Sequence, residues 1–136
     1  MTTQLNPYLV FDGTARDAME RYQAIFGGDL EVMTFESAGA EGVPNPQGVM
    51  HAYLGTPQGY ALMASDAPPG MPLAAGTTMS VSISGDEPDL LRGFFEQLSD
   101  GGTVDVPFET QMWGDTFGQC HDRFGVSWMV NASSAG

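Results

Sequence analysis

Ile25-Phe26-Gly27-Gly28-Asp29-Leu30-Glu31-Val32 (IFGGDLEV), read beside Leu98-Ser99-Asp100-Gly101-Gly102-Thr103-Val104-Asp105-Val106 (LSDGGTVDV), decides the fold. In both stretches an apolar helical face ends, a double glycine follows, and a strand-like run leaves at once. Glycine accepts the left-handed backbone that closes a helix without Cβ strain.

Working outward from the first stretch, Ala15, Ala18, Met19, Tyr22, Ile25 and Phe26 recur at helical spacing. Thr14 is the expected N-cap, with Asp17 in the capping-box position. Before the helix, Leu5 to Phe11 (LNPYLVF) reads as a strand. Pro7 lacks a ladder donor, so this strand lies at an edge or begins after Pro7. After the helix, Asp29 to Glu36 reads as a strand and Ser37 to Gly48 as a mobile loop. Val49 to Leu54 and Tyr60 to Ser65 then form a hairpin around Gly55-Thr56-Pro57-Gln58-Gly59.

The order then repeats. Thr77 to Ser84 reads as a strand. Asp86-Glu87-Pro88 opens a helix, with an acid near its start and proline in its first turn. Its expected apolar face is Leu90, Leu91, Phe94, Phe95 and Leu98. Thr103 to Phe108, Phe117 to Cys120 and Val126 to Asn131 complete the second half as strands, the last two around Asp122-Arg123-Phe124-Gly125. Tyr22 and Phe95 match in helix position, and Gly59 and Gly125 match in the hairpins. The expected fold is therefore α+β: one domain spanning 1–136, with one module over about 5–66, a linker over about 67–76 and a second module over about 77–132. Each module reads β-α-β-β-β, and the pair implies curved mixed sheets around a shared cleft.

The length of 136 residues fits one domain. Seventeen acids face four bases, for a net charge of −13, and the bases Arg16, Arg21, Arg92 and Arg123 are scattered. That pattern excludes a nucleic-acid face, which needs clustered Lys and Arg. It also disfavours anionic membranes and heavily phosphorylated substrates. Cys120 is the single cysteine, so no intrachain disulfide is possible. Residues 1–4 show no signal-peptide character and no apolar run is long enough to span a membrane, so a cytoplasmic protein is expected.

Several pieces, in order, carry a family resemblance: Asn6-Pro7-Tyr8-Leu9, Ala18 to Tyr22, Phe26-Gly27-Gly28, His51-Ala52-Tyr53-Leu54, Met63-Ala64-Ser65-Asp66, Trp113-Gly114 and Asp122-Arg123-Phe124-Gly125-Val126-Ser127-Trp128. Over residues 5 to 132 the chain resembles the PhnB-like branch of the vicinal oxygen chelate superfamily, which includes glyoxalase I, bleomycin-resistance proteins and extradiol dioxygenases. The resemblance implies paired βαβββ modules, a homodimer, and in the enzymes a divalent metal held by His, Gln and Glu from first and last strands. Members of this branch are often labelled demethylubiquinone methyltransferase-like. No Gly-rich loop joins a strand to a helix here, as nucleotide-type cofactor sites usually require.

In that pattern the last-strand ligand follows the hairpin glycine by four residues. Those positions hold Met63 and Met129, thioethers ill-suited to a hard divalent ion. The first-strand positions, near Asn6 to Tyr8 and Met79 to Ser82, hold neither His nor Glu. No metal is therefore expected. A divalent metal with an atypical ligand set including His51 is the alternative. His51 otherwise reads as a partly buried ring at a strand start. His121 reads as a turn residue and Cys120 as a small buried hydrophobe. Asp66 reads as a cap of the linker turn. Trp113 either closes over a ligand or packs on the sheet edge. Trp128 and Met129 face opposite ways by period two.

The expected function is metal-free binding of a small hydrophobic or cationic molecule, with His51, Met63, Trp113 and Met129 as candidate binding residues. A divergent metal-dependent lyase, transferase or dioxygenase, and a non-catalytic dimeric interaction module, are the alternatives.

Overall fold

The structure, a computed structural model, describes residues 5–39, 45–67 and 79–133. The expected linker lies almost wholly outside these residues, as do residues 40–44 of the expected loop. The chain divides into two compact units, Met1–Ala75 and Gly76–Gly136.

The first unit runs β1 (Tyr8–Phe11), α1 (Ala15–Phe26), β2 (Asp29–Thr34), β3 (Val49–Gly55) and β4 (Ala61–Asp66). The second runs β5 (Val81–Gly85), α2 (Pro88–Ser99), β6 (Thr103–Thr110), β7 (Thr116–His121) and β8 (Ser127–Ala132). The sheet orders are β1-β4-β3-β2 and β5-β8-β7-β6. In each, the first strand lies parallel to the last and the remaining pairs are antiparallel. The fold is thus α+β, with two four-stranded mixed sheets and one helix per module. Strand β1 begins just after Pro7 and also lies at a sheet edge, where the missing donor costs nothing.

The double glycines do the same job twice. A Cβ on Gly28 would stand 2.0 Å from the carbonyl oxygen of Gly55, and one on Gly102 would stand 2.1 Å from that of His121. Both carbonyls end the third strand of their module. Only glycine lets the chain leaving the helix pass so close to that strand.

Directly paired residues share a sheet face, so the register sorts each strand. In the first sheet Leu9, Phe11, Leu30, Ala52, Leu54, Leu62 and Ala64 lie on one face. Helix α1 closes that face with Ala15, Ala18, Met19, Tyr22, Ile25 and Phe26, all buried. In the second sheet Gly118, Cys120, Trp128, Val130 and Ala132 meet Leu91, Phe94, Phe95 and Leu98 of α2. Leu90, expected on the apolar face, is 40% exposed, because only the 91-94-95-98 stripe points at the sheet.

Two caps differ from expectation. Thr14 makes no side-chain cap hydrogen bond. The carboxylate of Asp66 takes over from the far end of β4, accepting from Ala15 N at 3.0 Å and from Val49 N at 2.9 Å. Asp66 therefore fastens α1 and β3; the linker turn it is expected to cap lies, beyond Ala67, outside the described residues. In the second module Asp122 is the buried carboxylate, accepting from Phe124 N, Val126 N and Trp128 Nε1 at 2.9, 3.0 and 2.8 Å.

Candidate functional site

Each sheet keeps one face that its own helix does not cover. On the first sheet that face carries Tyr8 and Val10 from β1, Met63 from β4, His51 and Tyr53 from β3, and Glu31 and Met33 from β2. Tyr8 is paired with Met63, Met63 with Tyr53, Tyr53 with Glu31, and His51 with Met33. Tyr8, Val10 and Met33 are 47%, 43% and 44% exposed, a run of apolar surface on a sheet whose other face is packed. The Tyr8 and His51 rings lie 5.9 Å apart, with Tyr8 Oη and His51 Nδ1 at 3.5 Å, the outer limit of a hydrogen bond.

Two depressions lie here. One, of about 370 Å³, is lined by Glu31, Val32, Met33, His51 and Tyr53. The other, of about 510 Å³, lies toward the β3–β4 hairpin and carries no charged residue; its walls include Asn6, Pro7, Tyr53, Thr56 and Tyr60. Tyr53 borders both. Gly55 makes room for its ring: a Cβ there would stand 3.3 Å from Tyr53 Cε1. Tyr60 sets its ring edge-on to Phe26 at 6.0 Å, and its Oη is buried with no partner among the described residues. Burial pushes the Tyr60 phenol up from its ordinary value.

The uncovered face of the second sheet has a different chemistry. It carries Ser82 and Ser84, Ser127, Met129 and Asn131, and Phe117 and Gln119. Some of its polar groups are paired: Ser80 Oγ and Ser127 Oγ lie 2.7 Å apart, and Asn131 Nδ2 donates to Asp115 at 3.1 Å. His121 ends β7 rather than sitting in the turn, and its Nδ1 lies 2.6 Å from Asp105 Oδ2. Trp113, 61% exposed in the β6–β7 turn, sits 6.4 Å from Phe117.

The four residues expected to bind ligand thus fall into two pairs. His51 and Met63 share the uncovered face of the first sheet. Met129 lies on the uncovered face of the second, and Trp113 stands beside Phe117 of that sheet. Tyr8, Tyr53, Glu31 and Met33 were missing from the expected set. The alternation of β2 and β3 carries the signal for three of them, since Tyr53 is two residues from His51, and Glu31 and Met33 alternate with Leu30 and Val32. Cys120 is buried beneath α2, and burial with help from Asp122 and Asp105 pushes its thiol up to about 11. It has the character of a core residue rather than a nucleophile.

A divalent metal of the kind the enzymes use does not fit these residues. The paired first- and last-strand positions are Tyr8 with Met63 and Ser82 with Met129. Thioethers, a phenol and a hydroxyl do not form a hard-ion donor set. Among the described residues no three His, Cys, Asp or Glu side chains gather to hold an ion.

Two βαβββ modules, each with its first strand set parallel beside its last, define the glyoxalase/bleomycin-resistance/dioxygenase class of protein. A glyoxylase/bleomycin resistance protein/dioxygenase domain from Frankia superposes with a TM-score of 0.62 over 98% of both chains at 14% identity, a likeness of fold alone. Within that class, the chain belongs to the family described as 3-demethylubiquinone-9 3-methyltransferase, the PhnB-like branch, whose family model matches residues 3–131. Protein PA1353 from Pseudomonas aeruginosa is 37% identical, with a TM-score of 0.88 over 97% of this chain and 98% of its own. A Bacillus cereus PhnB protein, described as a putative 3-demethylubiquinone-9 3-methyltransferase, gives 0.77 at 21% identity over 96% and 100%.

Proposed function

We propose that this protein binds a small molecule on the uncovered face of its first sheet and does so without a chelated metal. The observation that carries the reading is the pair of depressions that share Tyr53, on a largely apolar, exposed sheet face whose opposite face packs under α1. A concave apolar surface with a few polar groups is the usual form of a small-molecule site.

The class of ligand is narrowed by charge. The N-terminus of α1, the natural place for a phosphate or carboxylate, already holds the Asp66 carboxylate. The start of α2 is Asp86-Glu87-Pro88-Asp89, equally hostile to anions. This argues against a nucleotide-type cofactor at either helix start, and the reading does not take over the methyl transfer in the family's description. A cytoplasmic homodimer completes the proposal. A lone buried thiol and the absence, among the described residues, of a helix long and apolar enough to cross a membrane are compatible with it.

Thermal-shift screening against aromatic amines, quinones and antibiotics tests the reading, because a ligand specific to the native state raises its stability by about 2.7 kcal/mol at a hundred times Kd. The expected result is a rise in Tm for part of the panel that is lost in Tyr53→Ala. No rise across the panel overturns it. Sedimentation velocity checks the dimer.

A further inference from the structure

We infer that the ligand of this face is an organic cation, a protonated or quaternary amine on an apolar body, with Glu31 as its counter-ion. The inference rests on the binding reading above and adds the ligand's charge and its orientation.

The two depressions differ in charge. The one toward the hairpin is lined by no ionisable carboxylate or base, only by Leu5, Asn6, Pro7, Gly and Ala backbone, Thr56 and two tyrosines. The other has Glu31 at its wall, with Met33, His51 and Tyr53 around it. Glu31 makes no hydrogen bond or ion pair among the described residues, in contrast to Asp105, which is matched with His121 in the second module. No arginine competes for it: Arg16 and Arg21 lie on α1, Arg92 on α2 and Arg123 in the β7–β8 hairpin, and the chain has no lysine.

The neighbours of Glu31 suit a soft cation. Tyr53 stands directly across the ladder from it, so a cation held by the carboxylate lies beside an aromatic ring. Ring faces attract cations, most strongly where water is partly excluded. Met33 supplies a polarisable wall that adapts to shape. The net charge of −13 draws cations toward the molecule as a whole. The uncharged depression on the other side of Tyr53 then takes the apolar body, so the ligand lies across Tyr53 with its charged head at β2.

Isothermal titration with phenyltrimethylammonium and its neutral isostere tert-butylbenzene tests this on the full chain. The cation is expected to bind about tenfold tighter than the isostere, and Glu31→Gln to weaken the cation about threefold to tenfold while leaving the isostere unchanged. Asp17→Asn, which removes an exposed charge on α1, is expected to change neither. If the isostere binds as well as the cation, or Glu31→Gln leaves the cation's affinity intact, the charge assignment is overturned and the binding reading stands. If the folded protein binds neither probe at millimolar concentration, both are overturned.

Discussion

The two modules agree beneath their helices and disagree on their uncovered faces. Under the helices the correspondences are close: Tyr22 with Phe95, Gly28 with Gly102, Leu54 with Cys120, Ala52 with Gly118. On the other face, aligned through Met63 and Met129, Tyr8 becomes Ser82, Val10 becomes Ser84, His51 becomes Phe117 and Tyr53 becomes Gln119. The second module pairs Ser127, Asn131 and His121 internally. The first leaves aromatic and thioether surface and the carboxylates of Asp29 and Glu31 without a partner among the described residues. The comparison teaches that packing constraints held the copies together only where a helix sits on the sheet. The other face was free to diverge, and chemistry for a ligand collected on one of them.

The strongest way to break this comparison is to attack the shared part. Gly28→Ala and Gly102→Ala each drive a methyl into backbone carbonyl, at 2.0 and 2.1 Å, where no side chain can yield. Each is expected to cost more than about 3 kcal/mol, the upper end of ordinary overpacking, and chemical denaturation measures it. If one is tolerated, the modules do not share this crossing.

Asp66→Ala is the next largest. It strands the buried N–H groups of Ala15 and Val49, for an expected loss of about 2–4 kcal/mol by urea denaturation. The matching position of the second module is Ala132, so this anchor belongs to the first module alone.

Gly118→Ala sharpens the comparison at a finer scale. Its Cβ would meet Phe95 Cε1 at 2.7 Å and Phe108 Cα at 3.0 Å, whereas Ala52 occupies the corresponding place in the first module without difficulty. The expected cost is about 1–3 kcal/mol, partly relieved by Phe95→Leu in a double-mutant cycle.

The smallest effect concerns Cys120. Its thiol is raised to about 11 from 9.0, so the unfolded chain loses the proton first. The stability tied to this group is complete below pH 9 and disappears as pH rises through about 11. Thiol labelling of the native protein at pH 8 is expected to be slow and to become rapid on denaturation.

The element order was legible because helical and strand periods alternate cleanly and double glycines punctuate them. Pro7 even marked where β1 begins. What escaped reading was whatever depends on distant partners. Asp66 looks like a turn residue because it precedes Ala67-Pro68-Pro69, yet the groups it binds lie 51 and 17 positions away. Thr14 had the right identity for a cap and lost the role to that carboxylate. His121 ends a strand because its backbone pairs with Thr103 on one side and Ser127 on the other. For the site, hairpin geometry ties β3 to β4 and so placed Met63 on a definable face. Alternation within β2 puts Glu31 on the face opposite Leu30 and Val32, but the β2–β3 register runs through a long connection, so its place across from Tyr53 could not be counted along the chain.

The parallel pairing of β1 with β4 has a temporal consequence. Phe11 receives the amide of Ala67 and Pro7 that of Met63, so the first strand finds its partner only when the last has been made. During synthesis nearly the whole first module must leave the ribosome before its edge strand can dock, and the second module repeats the wait between Val81 and Ser133. Contacts so distant along the chain slow folding. Each module therefore closes late and as a unit, with its N-terminal strand the last piece to be held.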